Sequence, residues 1–103
     1  MKKIINGKKY DTETAERIGV YQSRENRHDF NCIVETLYRK RTTGEFFLYG
    51  EGGPQTKYAK LVDQNWWSGS AEIIPFNDDK ARAWAEKYLD GDRYEEIFGE
   101  VDE

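Results

Sequence analysis

The chain reads as an α+β protein: a small antiparallel sheet, built from an N-terminal hairpin plus two or three strands, packed against C-terminal helices. Three observations predict it. Residues 31–41 alternate, with Phe30, Cys32, Val34, Thr36 and Tyr38 on one face and Ile33, Glu35, Leu37 and Arg39 on the other, as in a strand. Ala81, Trp84, Ala85, Tyr88 and Leu89 recur at helical spacing and form one apolar stripe. Asn6-Gly7 between Ile4-Ile5 and Lys8-Lys9-Tyr10 supplies the two positive φ angles of a type I′ hairpin turn.

Each element follows in order. After the first hairpin, Asp11 or Thr12 is positioned to cap a short helix through Ile18, with Gly19 as its left-handed stop. Val20–Asp29 is polar and reads as a loop. The strand at 31–41 turns at Thr42-Thr43-Gly44 and returns as Glu45–Tyr49, which Gly50-Glu51-Gly52-Gly53-Pro54 breaks. Lys57–Val62 is expected to form one or two helical turns, and Ala71–Phe76 a third strand. Asn77 caps the striped helix, Asp78 and Asp79 oppose its dipole, and Asp90-Gly91 stops it. A last short helix begins at Asp92, carries Tyr94, Ile97 and Phe98, and closes at Gly99. Residues 100–103 form a loose acidic tail.

With 103 residues, the chain is expected to form one domain over residues 1–103. Leu, Ile, Val and Phe number only 20, but seven Tyr and three Trp add enough apolar area for a folded core. There is no apolar run of membrane-spanning length and no signal-peptide pattern. One cysteine and one histidine leave no disulfide framework and no ordinary zinc site, so neither metal nor cofactor is expected, and the chain suits a reducing cytoplasm.

The charge is uneven. Residues 1–41 hold ten Lys/Arg against six Asp/Glu, whereas residues 77–103 hold four against ten. Carboxylates in the acidic end (Asp78, Asp79, Glu86, Asp90, Asp92, Glu95 and Glu96) can meet a basic groove, although such helix faces also serve simply for solubility. The basic cluster Tyr38-Arg39-Lys40-Arg41, with Lys8 and Lys9, can follow a nucleic-acid backbone or protect a strand edge. A pI near 5.1 weighs against strong nonspecific phosphate binding. Trp66-Trp67 lies in a polar stretch; one indole is expected to pack inside while the other stays partly open as a candidate partner anchor, and burial of both at the sheet edge beneath the C-terminal helix is the alternative.

Signs of catalysis are weak. His28 has no nucleophile beside it, and Cys32 falls inside a strand pattern, so a solvated histidine and a buried thiol are the simpler reading. The glycine run at 50–53 lacks the spacing of a phosphate-binding loop and reads as a wide turn using unusual φ values. No catalytic residues are expected.

Five blocks resemble, in order, a family of small proteins carried by plasmids, integrative elements and phages of Gram-positive bacteria. They are Met1-Lys2-Lys3-Ile4-Ile5-Asn6-Gly7-Lys8-Lys9-Tyr10-Asp11-Thr12-Glu13-Thr14-Ala15, then Glu35-Thr36-Leu37-Tyr38-Arg39-Lys40, then Gly44-Glu45-Phe46-Phe47-Leu48-Tyr49-Gly50-Glu51-Gly52-Gly53. Ile73-Ile74-Pro75 and the closing run from Trp84 to Val101 complete them. Relatives in that family include anti-CRISPR proteins that inhibit type II-A Cas9. The resemblance implies a non-enzymatic protein of the bacterial cytoplasm that binds Cas9 or its guide complex, blocking guide loading or access of target DNA. A nucleic-acid-binding accessory protein of a mobile element is the alternative.

Overall fold

The computed structural model describes all residues, 1–103. Strands β1 (Lys2–Ile5) and β2 (Lys8–Asp11) pair as the expected hairpin. Its turn has φ +51° at Asn6 and +78° at Gly7, the positive values a type I′ turn requires. A four-stranded antiparallel sheet follows, in the order β3 (Glu16–Gln22), β4 (Ile33–Arg39), β5 (Phe46–Gly52) and β8 (Ser70–Phe76). Between β5 and β8 the chain makes a separate hairpin of β6 (Lys60–Asp63) and β7 (Trp66–Ser68). Helices α1 (Asp78–Tyr88) and α2 (Gly91–Phe98) close the fold.

The sheet is covered on both faces, which the alternation in β4 makes possible. Leu37, with Ile18, Phe46 and Leu48, faces Ala81 and Trp84 of α1, and Phe98 of α2 stacks on Phe46. On the opposite face, Phe47 and Ile73 join Tyr10 of the N-terminal hairpin, with Tyr38 stacked on Phe47. Leu37 and Phe47 are fully buried, one on each side. A buried aliphatic or Phe side chain contributes roughly 1.5–3 kcal/mol. The two small cores are therefore the main source of stability.

Several local expectations are corrected. The short helix ending at Ile18 is instead the start of β3, and Val20–Gln22 belong to that strand rather than to a loop. Packing decides this: Ile18 sits beneath Trp84, and Tyr21 stacks on Tyr88 at 4.0 Å. Gly19 is not a left-handed helix stop; it leaves room for the Leu89 side chain, which a Cβ would meet at 2.3 Å.

The glycine run does not end β5, which continues through Gly52. Nor do Gly50, Gly52 and Gly53 take positive φ values. They allow close approach. A Cβ on Gly50 would strike the Tyr58 ring at 2.1 Å, and one on Gly53 would meet the Phe30 carbonyl oxygen at 2.6 Å.

Residues 57–58 form a turn and residues 60–62 lie in β6, rather than in helix. Asp90, read as part of the stop of α1, is the N-cap of α2 and accepts a hydrogen bond from the Asp92 N–H. Asn77 caps α1 as expected, accepting from the Lys80 N–H at 2.8 Å. Gly99 ends α2 at φ +96°, and residues 100–103 are exposed without regular structure.

Candidate functional site

The β6–β7 hairpin is an arm. Its strands pair with each other and make no more than marginal contact with any other element. The radius of gyration is 15.0 Å, above the ~13 Å of a compact chain this long, and the extents are 49 × 34 × 21 Å. Leu61 stands opposite Trp67, and Asp63 opposite Trp66. Trp66 and Trp67 are 66% and 56% exposed, and Leu61 and Val62 are similarly open. The burial expected of one or both tryptophans is corrected, since both indoles are exposed. Adjacent residues in a strand point to opposite faces, and this hairpin has no covering layer on either.

The arm is tied to the body through a buried carboxylate. Glu35 faces the helix side of β4, directly across from Gly50. Because Gly50 has no side chain, the Tyr58 ring lies over it and donates its hydroxyl hydrogen to Glu35 at 2.5 Å. The Trp84 indole N–H donates to the other carboxylate oxygen at 3.0 Å, and the Lys57 ammonium approaches at 2.8 Å. Burial pushes the Glu35 carboxyl up, but donation from Lys57, Tyr58 and Trp84 outweighs it and holds the group below the ordinary range. Burial, and then the Glu35 carboxylate, push the Tyr58 phenol far up, so it remains a donor. Ser70 adds a bond to the Tyr58 carbonyl oxygen at 2.8 Å, fastening the other root of the arm.

Sequence reading passed over this cluster. Its visible signal was a glutamate on the same inward face of a strand as Leu37, where an ionised side chain requires partners.

The acidic residues are all on the surface: Asp78, Asp79, Glu86, Asp90, Asp92, Glu95 and Glu96 are exposed on or beside α1 and α2. Internal contacts claim several of them. Asp78 pairs with Arg82 at 3.3 Å and Glu96 with Arg93 at 2.8 Å. Glu95 accepts from the Val101 N–H at 2.8 Å. Asp79 and Glu86 lie seven residues apart on one side of α1 and have no ion pair. Glu86 and Glu95 meet across a 390 Å³ groove between the helices, lined also by Ala85, Leu89 and Tyr94.

Internal ion pairs engage three of the five cations of the basic cluster. Lys8 and Lys40 both contact Glu45, at 2.9 and 3.4 Å, and Arg39 pairs with Glu16 at 2.8 Å. Hydrogen bonding from Lys8 leads the effects that pull the Glu45 carboxyl down to about 2. Tyr38 is half-buried, with its ring stacked on Phe47. Lys9 and Arg41 remain exposed without ion pairs.

His28 and Cys32 line one open cleft of about 580 Å³ together with Arg27, Phe30, Glu51 and Gly52-Gly53. No hydrogen bond joins the two side chains. The Cys32 thiol is buried beside the Arg24 carbonyl oxygen, and Arg27 is paired with Glu51 at 2.6 Å. No three His, Cys, Asp or Glu side chains gather as metal ligands, and no helix is long and apolar enough to cross a membrane. Compared with protein-family models, curated proteins and solved structures, the chain matches none.

Proposed function

We propose that this chain is a stoichiometric binding protein that inhibits a type II-A Cas9 effector, like the anti-CRISPR proteins its sequence resembles. The observation that carries the reading is the arm. Four large apolar side chains stand exposed on a hairpin that nothing in the protein covers, and exposed apolar clusters mark interaction sites. Tryptophan is the residue type most often found at interface hot spots.

The helical layer supplies the chemistry of the partner. Asp79, Glu86 and Asp92 carry exposed charge with no internal ion pair, and suit a basic channel built to hold nucleic acid. In this reading Trp66 or Trp67 anchors in an apolar slot of the effector while the carboxylates occupy positions that nucleic-acid phosphates would take. Guide loading or target entry is thereby blocked in the bacterial cytoplasm. The accessory nucleic-acid reading has less support, because Lys8, Arg39 and Lys40 already contact glutamates of the protein itself.

The test is affinity capture of Cas9, with and without guide RNA, combined with a DNA-cleavage assay. Capture together with loss of cleavage near equimolar protein is expected. Uninhibited cleavage at large excess, with nothing captured, removes the reading for the effectors tried.

A further inference from the structure

We infer that the cleft between β2 and the β4–β5 turn is a binding site for a single phosphate group. The cleft is lined by Lys9, Asp11, Thr14, Lys40, Arg41 and Thr42, and holds about 100 Å³. It has room for a tetrahedral oxyanion.

Three cations line this space from two different segments, against one carboxylate, Asp11. That carboxylate accepts the Glu13 N–H at 3.0 Å, which moderates its repulsion of an anion. Lys40 is held in place: its side chain is only 13% exposed, and its ammonium lies 3.9 Å from the centre of the Tyr10 ring and 3.4 Å from Glu45. Lys9 and Arg41 are the two members of the basic cluster that the protein does not pair, and both line the same cleft. The hydroxyls of Thr14 and Thr42 add uncharged donors. The unpaired guanidinium of Arg41 and ammonium of Lys9, with the hydroxyls, match the acceptor oxygens of a phosphate, and Lys40 adds positive charge to the same lining. Its lining shares no residue with the arm.

The probe is inorganic phosphate, titrated at constant ionic strength against chloride and followed by amide NMR shifts. Saturable shifts confined to Lys9, Thr14, Arg41 and Thr42 are expected. Lys9→Ala and Arg41→Ala should each weaken binding about tenfold, as expected for loss of a charge-assisted bond. Lys8→Ala removes an equal charge outside the cleft and should leave affinity unchanged. A second arm compares a 5′-phosphorylated oligonucleotide with its 5′-hydroxyl counterpart. Displacement of free phosphate by the former alone identifies a nucleic-acid end as the source, whereas displacement by neither identifies the free ion; either supports the site. Shifts that never saturate, or an equal loss in Lys8→Ala, would overturn it, because diffuse charge would then account for the effect.

Discussion

The Tyr58 hydroxyl donates to the buried Glu35 carboxylate at 2.5 Å, joining the segment that bears the exposed tryptophans to the centre of the sheet. That contact exists because Gly50, opposite Glu35, leaves the ring somewhere to lie. An ionised group so deeply buried stays folded only with its donors in place. Tyr58→Phe should therefore destabilise the protein by about 1–3 kcal/mol, measured by urea denaturation. Gly50→Ala should cost more, because the added Cβ displaces the ring itself.

Acid should weaken the fold through two carboxylates. Glu35 and Glu45 both titrate below their ordinary value in the folded protein, Glu45 at about 2 against 4.5. Depressed folded values mean the stabilisation is present above the unfolded value and is lost as pH falls through the folded one. The urea midpoint should thus carry their full contribution, unchanged with pH, between pH 5 and 7, and should decline from about pH 4.5 toward 2. Glu45→Gln should flatten part of that decline.

Removing the arm's indoles should separate binding from folding. Trp66→Ala and Trp67→Ala lie outside both cores and should change stability by no more than about 0.5 kcal/mol. Partner affinity should fall by about 2 kcal/mol or more for whichever indole is the anchor.

Charge reversal in the helical layer acts on encounter. Glu86→Lys together with Glu95→Lys should slow association by about tenfold or more at low salt, with the difference shrinking as salt rises. Glu96→Lys should do less than Glu95→Lys, since Glu96 is already compensated by Arg93 at 2.8 Å. Stopped-flow or biosensor association rates check both.

Residues that announce their own geometry made much of the fold legible. Asn6-Gly7 specified its turn, Asn77 its cap and the Trp84 stripe its helix, because each signal is local. β3 was hidden because its strand character comes from Trp84, Tyr88 and Leu89, more than sixty residues away, rather than from its own pattern. The glycines of β5 were misread for a related reason: their role is to admit Tyr58 and Thr56, and close approach across the chain leaves no mark in a single segment. Exposure of the acidic side chains followed from helical spacing, but their pairing with Arg82, Arg93 and the Val101 backbone depended on rotamers and on the tail. The basic cluster was legible as composition, whereas Glu16 and Glu45 decided how much of its charge stays free.

The central claim, that the arm is the anchor of an inhibitor, is tested most directly by titrating wild type and the Trp66→Ala/Trp67→Ala protein against guide-loaded Cas9 in a calorimeter. The account predicts saturable binding at one stoichiometry for wild type, lost in a double variant that melts at the same temperature. Heat of binding that is unchanged by removing both indoles, or absent from wild type with free and guide-loaded enzyme alike, would contradict it.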